Sequence, residues 1–446
     1  MESRTAIRIR RLAVPLLPVL FSLASPALGE GMYEPVPLKD HERHLLTSSN
    51  EYEEKFERWG LRYHDPEVDA LVARIGRSLQ PEPTDAYIRY RFFLIRDPLP
   101  NAFALPDGQV YVHTGMVAWL DNEAQLAGLL GHEINHAAGH HGILSFRNVR
   151  RTAITGMILG PYTLGLSDIF LILALLGYSR DLEEEADLRA LEPALAAGYD
   201  LREVPELFDL LARDFEGIQP RRSTKWLTHP QLEDRSRYLR ERIDGWPGGI
   251  EFSSLRTEAG AYQRLTRPLA HLTVDDLIRS DYPRSATVLA QRLVDRDLAD
   301  PSGHLALGDA FLALGPGEAY APEATLTKRE KKERQRERVR STREEREAAM
   351  LETEEGRATL ARHMAAAAEA YREALDLDGA LAEARRGLGY ALLRLGDERE
   401  AARSLMQYLK MRPEAPDRAA VLDELRRISQ DLREGQKGDQ DGKNPE

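Results

Sequence analysis

Gly131-His132-Glu133-Ile134-Asn135-His136 carries two histidines four residues apart, with a glutamate directly after the first. On a helix that spacing puts both imidazoles on one face, where they can hold a single zinc ion. Glu133 then stands where it can take a proton from a water that the metal acidifies. A surface helix that happens to carry two histidines would look the same. The apolar run before the motif (Ala124, Leu126, Ala127, Leu129, Leu130) predicts a helix from about Asn122. That is the context the metal reading requires.

A hydrolytic zinc wants a third protein ligand and one open position. A three-histidine set would need histidine at 142, where the chain has glycine; His140 and His141 are nearby but at the wrong offset. A glutamate from a later helix is the other solution. Ser179-Arg180-Asp181-Leu182-Glu183-Glu184-Glu185-Ala186-Asp187 offers one, with Glu183 and Asp187 on one helix face. Glu183 can ligate, and Asp187 can accept the second ring N–H of a ligand histidine. A solvated acidic helix start, favoured by the helix dipole, would read alike.

Four segments in order give a resemblance: Asn101-Ala102-Phe103, His132-Glu133-x-x-His136, Ser179-Arg180-x-x-Glu183-x-x-Ala186-Asp187 and Thr228-His229-Pro230-x-x-x-x-Arg235. The chain resembles the HtpX-like and CAAX-prenyl-protease-like gluzincin metallopeptidases. The resemblance implies one zinc per chain, held by His132, His136 and Glu183, with Glu133 as general base. Asp187 corresponds to that family's acidic residue, a partner behind the ligands or a proton donor. Arg180 and Arg235 are expected to support the ligands from behind. His229 either stabilises the oxyanion or caps the metal at rest; a loop histidine that packs before Pro230 is the plainer reading. Asn101, Ala102 and Phe103 are expected at a sheet edge, where an extended substrate pairs by main-chain hydrogen bonds.

Other elements must position these residues. Residues 37–80 read as helical, with Leu71, Val72, Ile75 and Leu79 on one face. Residues 87–95 read as a strand, and 101–105 with 110–112 as a hairpin around Pro106-Asp107-Gly108. Residues 153–178 are apolar but broken by glycine, proline and Asp168. They read as a loop and a buried or membrane-facing helix rather than a span, which needs about 20 residues. Peripheral membrane contact there is a further expectation.

Later, Leu307-Gly308 through Gly315 aligns with Leu388-Gly389 through Gly396. With Gly389 as position 8, Ala401, Leu405, Tyr408 and Pro413 fall on a 34-residue tetratricopeptide pattern. Ala367, Tyr371 and Ala374 fit the second helix of the first unit. The expected fold is mostly α with a small β-sheet: a zincin-like domain followed by an α-solenoid of tetratricopeptide repeats. Within it, Lys328–Glu347 holds 10 bases and 6 acids in 20 positions, and reads as a solvated helix.

The 446 residues include no cysteine, which excludes disulfides, thiolate metal sites and a cysteine nucleophile. A net charge of −12 argues against nucleic-acid binding, which needs a basic footprint. Arg4, Arg8, Arg10 and Arg11, an apolar run from Leu12 and a small-residue end at Ala27-Leu28-Gly29 read as a cleaved signal peptide. Its removal leaves a net charge of −15. The expected organisation is a signal peptide (1–29), a zinc metallopeptidase domain (30–270), a repeat domain (271–430) with a charged insert (316–362), and a disordered tail (431–446). With the signal and the repeats included, the chain resembles periplasmic proteases of the BepA type. That implies work on misfolded or stalled outer-membrane proteins, with the repeats docking onto the assembly machinery. A non-catalytic periplasmic chaperone or scaffold is the alternative.

Overall fold

A computed structural model describes residues 33, 36–81, 85–147, 178–215, 232–316 and 343–441. The expected signal peptide, the apolar run through residue 177, Thr228-His229-Pro230 and the insert up to residue 342 lie outside the described residues.

The N-terminal half is built on a four-stranded sheet: Arg62–Tyr63 (β1), Arg91–Ile95 (β2), Ala102–Ala104 (β3) and Gln109–His113 (β4), in the order β1-β2-β4-β3. The predicted hairpin is there: β3 pairs antiparallel with β4, while β2 lies parallel to β4. Alternation along the strands sorts two faces. Leu94, Ala102, Ala104, Val110 and Val112 enter the main core. Phe93, Phe103 and Tyr111 turn the other way, onto Tyr52 and Phe56 of Asp40–Arg58 (α1). The strand predicted from residue 87 begins only at Arg91. Before it the backbone turns, with Ile88 N–H donating to Asp85 and Arg89 N–H to the Asp107 carbonyl.

On the core face lie Pro66–Leu79 (α2), the short Thr114–Trp119 (α3) and Glu123–Ala138 (α4). The helix α2 starts at Asp65, whose carboxylate accepts from the Glu67 and Val68 amides, with Pro66 in the first turn. Its apolar stripe, Val68, Leu71, Val72, Ile75 and Leu79, is the one read from the sequence, now packed on β2 and α4. Then follow Arg180–Ala196 (α5), Glu203–Asp214 (α6) and Leu232–Asp244 (α7).

The remaining helices are Ala259–Arg279 (α8), Pro283–Arg296 (α9), Pro301–Leu314 (α10), Arg343–Leu351 (α11), Glu354–Leu377 (α12), Ala382–Arg394 (α13), Glu398–Met411 (α14) and Arg418–Asp441 (α15). Successive helices pack on one another from α8 to α10 and from α11 to α15, and α10 packs against α12. The boundary expected at residue 270 is no break in packing: one core runs from α2 through Leu277, Leu289 and Ala310. Arg292 and Arg296 of α9 also bind the Trp119 carbonyl and the Asp121 carboxylate at the end of α3. The tail expected to be disordered from Asp431 is helical through Asp441, continuing a helix that Val421 and Ile428 anchor in the core beneath Leu405 and Tyr408. Once nucleated, a helix propagates cheaply into polar residues. No helix among the described residues is long and apolar enough to cross a membrane.

Between α10 and α12 the Tyr371 hydroxyl donates to Asp309 at 2.6 Å. Burial pushes the Asp309 carboxyl up to about 6, although that hydrogen bond opposes it. A carboxyl raised on folding is harmless below its unfolded value and costs stability as pH rises through about 6. Asp309→Asn keeps the acceptor and removes the charge. It should raise the thermal midpoint by a few degrees at pH 7.5, and the gain should shrink at pH 5 in the same melting experiment.

Candidate metal centre

The helix α4 is buried along its whole length. Asn122 caps it, its side chain accepting from the Gln125 amide at 2.9 Å. Facing it, α5 presents the stripe Glu183, Ala186, Asp187, Ala190, Leu191 and Ala194. The two helices meet where Gly131 lies against Ala190: a Cβ at 131 would sit 3.1 Å from the Ala190 Cβ. That close approach at Gly131 and Ala190 brings Glu183, two turns up α5, onto the histidine face of α4.

His132, His136 and Glu183 are all buried, and one ligand atom from each lies within 4.8 Å of the others. The two Nε2 atoms are 2.9 Å apart. The Glu183 carboxylate is 3.4 Å from His132 Nε2 and 3.8 Å from His136 Nε2. The other ring nitrogens face away, into partners. His132 Nδ1 is 2.7 Å from Asp187 Oδ1, so its N–H donates to that carboxylate and the Nε2 lone pair is left for a metal. His136 Nδ1 lies 2.8 Å from His141 Nδ1. Two imidazoles and one carboxylate, dry and convergent, are the donor set zinc takes at about 2.0–2.2 Å from each atom. The residues fit the ion.

Asp187 is itself held. Arg235, on α7, donates to both its oxygens at 2.8 and 2.6 Å, and the Tyr238 hydroxyl donates to it as well. Burial would raise the Asp187 carboxyl; Arg235 and then His132 outweigh it and hold the group at about 2. Arg235 is buried over the ring of Phe208, 4.2 Å from its centroid, and reaches Glu183 at 3.5 Å. Arg180, expected to share this role, is exposed in the first turn of α5. It begins the helix before the packed stripe does.

Asn101 precedes β3, where its carbonyl accepts from the His113 amide. Ala102 faces the core, but the Phe103 ring stacks on Tyr111 on the far face of the sheet, away from α4. Phe103 is therefore a packing residue by its side chain. His229 lies outside the described residues.

Sequence reasoning missed three neighbours. Tyr178 stacks on the His136 ring, with centroids 3.9 Å apart and planes at 26°. Burial, and then the Glu133 and Glu183 carboxylates, keep its phenol protonated. Its place directly before Ser179 was the available signal. Tyr238, one turn beyond Arg235, carried none. His141, at the wrong offset for a third ligand, is the last of the three.

Residues 63–243 match Peptidase family M48. Over 195 residues, 41% of this chain and 40% of the relative, the sequence is 27% identical to the beta-barrel assembly-enhancing protease of Escherichia coli K12. It is 28% identical over 178 residues to the mitochondrial metalloendopeptidase OMA1 of Arabidopsis thaliana, covering 37% and 36% of the two chains. With the OMA1 metalloendopeptidase of Bos taurus it shares 33% over 230 residues, 45% and 42% of the two. The chain thus spans about two fifths of the length of the curated relatives it matches. The family match at residues 63–243 covers the segments on which the metallopeptidase resemblance was read, and with these relatives it bears that resemblance out.

Proposed function

We propose that the M48-type metallopeptidase domain of residues 63–243 is a working zinc endopeptidase, exported to a periplasm, that acts on misfolded or stalled outer-membrane proteins. One observation carries the catalytic part: the buried His132–His136–Glu183 set, with each histidine's second nitrogen already engaged. A bound zinc ion would supply a Lewis acid for the scissile carbonyl and would lower the pKa of an attacking water toward about 7. Glu133, buried beside His132, takes the proton that water gives up as its oxygen joins the carbonyl carbon. It returns that proton to the leaving nitrogen as the C–N bond breaks. Asp187 and Arg235 hold the His132 ring in place through the cycle. His229 keeps the two roles its sequence context suggests, a hydrogen bond to the oxyanion or a cap at rest.

An extended, unfolded substrate lies along Asn101–Phe103, because β3 is an edge strand of the sheet. Asn101 Oδ1, buried and without a hydrogen-bond partner among the described residues, offers an acceptor there. The helices within residues 271–430 act as tetratricopeptide repeats that dock partner or substrate. In support, the two aligned glycines have the same neighbour in the pattern: Gly308 against Tyr371 and Gly389 against Leu405, both at position 24. The name of the Escherichia coli relative, the predicted leader and the repeats together support the outer-membrane assembly machinery as the partner.

Purified full-length protein should cleave a urea-unfolded outer-membrane protein, or casein. A zinc chelator should stop the cleavage and added zinc should restore it. Inertness of the zinc-loaded protein toward both substrates would leave the non-catalytic scaffold reading in its place.

A further inference from the structure

We propose that His141 is a positioning residue for the metal: it accepts the Nδ1–H of His136 and thereby fixes which nitrogen of that ligand faces the ion. The chain geometry that allows this is particular. Helix α4 ends at Gly139, and His140 takes the left-handed conformation at φ +54°. A new helical turn starts from the His140 carbonyl, which accepts from the Ile143 and Leu144 amides. The reversal brings the next residue, His141, back beneath the helix, where it is 1% exposed. Gly139 makes room, since a Cβ there would lie 2.5 Å from His141 Nε2.

The contact between the two rings is Nδ1 to Nδ1, 2.8 Å. One nitrogen must donate and the other accept. Glu185 of α5 approaches His141 on its other side, with its carboxylate 3.7 Å from Nε2. A negative charge there favours the proton on Nε2, which leaves the His141 Nδ1 lone pair to accept. His136 then carries its proton on Nδ1 and offers Nε2 to the site, 2.9 Å from His132 Nε2. Arg189 holds Glu185 at 3.0 Å and lies over the Tyr33 ring, which meets His141 edge-on. The stacked Tyr178 ring fixes the plane of His136. Each histidine ligand therefore has its own acceptor, a carboxylate for His132 and a neutral imidazole for His136. The neutral one orients its ligand without adding a second negative charge directly behind the site.

This inference rests on the metal site proposed above, and zinc binding by the wild-type protein, measured first, tests that site on its own. The variants then test His141, with zinc affinity read by competition against a chelating dye and the ligand field read from the visible spectrum of the cobalt-substituted protein. His141→Asn places an amide oxygen near the position of Nδ1, whereas His141→Gln carries the same amide one methylene too far. His141→Phe keeps the ring and removes the acceptor. The Phe and Gln variants should bind zinc about 10–100-fold more weakly than wild type and show an altered cobalt spectrum. The Asn variant should stay within a few-fold and keep the spectrum. Wild-type affinity in the Phe and Gln variants would overturn the proposal, and so would an Asn variant as weak as Gln. The Asn–Gln comparison holds even if the Phe variant fails to fold.

Discussion

Replacing Glu133 by glutamine should lower cleavage of an unfolded polypeptide about 10²–10⁴-fold while leaving zinc content unchanged. Glu133 is 0% exposed and sits on α4 beside His132, so the variant changes nothing outside the site. Glutamine matches the shape of glutamate and has no basic oxygen for a proton. It also replaces a buried carboxylate by a neutral amide, so folding should not suffer. The neighbouring carboxylates cannot substitute. Asp187 is committed to Arg235, Tyr238 and His132. Glu183 faces both histidine nitrogens. Zinc analysis and circular dichroism beside the cleavage assay separate loss of chemistry from loss of metal or fold. Cleavage at the wild-type rate by Glu133→Gln would remove Glu133 from the mechanism.

The parts of this site that follow from one helix were legible in the sequence. The pairing of His132 with His136 and the shared face of Glu183 and Asp187 are consequences of helical spacing, and the structure has both. What crosses between elements was less legible. Arg180 lies on the same helical stripe as Glu183 and Asp187, and the resemblance gave it a supporting role behind the ligands. Position along the helix decides instead: Arg180 and Asp181, the first two residues of the helix, are exposed, whereas Glu183 is buried. The resemblance gave Arg235 a supporting role, but its bond to Asp187, across 48 residues, is seen only in the structure. His141 failed the spacing test because that test assumes the helix continues. The left-handed turn at His140 ends it, and a residue at the wrong offset for one face arrives under that face by another route. The continuous core across residue 270 was hidden similarly: Leu269, Ala270, Val274 and Leu277 of the single helix α8 lie in it on both sides of that position.

Removing Arg235 should be the most destabilising single change in the site. Arg235→Met leaves the Asp187 carboxylate buried with its principal counter-charge gone. Breaking a buried pair in this way typically costs about 3–5 kcal/mol, because the remaining charge keeps its desolvation penalty. Two further losses accompany it: the guanidinium no longer lies over Phe208, and its contact with Glu183 disappears. Asp187 can recover part of the cost by taking up a proton. Protonated, it accepts less well from His132 Nδ1–H, and the metal site loosens with it. The variant should therefore melt well below wild type and also bind zinc about 10–100-fold more weakly. The double variant Arg235→Met/Asp187→Asn no longer carries the orphaned Asp187 charge. It should regain much of the thermal stability but not the zinc affinity, since an amide is a poorer acceptor for the histidine ligand than a carboxylate. Melting curves and dye competition on the wild type and both variants measure the two quantities separately. An Arg235→Met protein as stable as wild type would mean that the buried pair contributes nothing to the fold. Recovery of zinc affinity in the double variant would mean that the Asp187 charge does not orient His132.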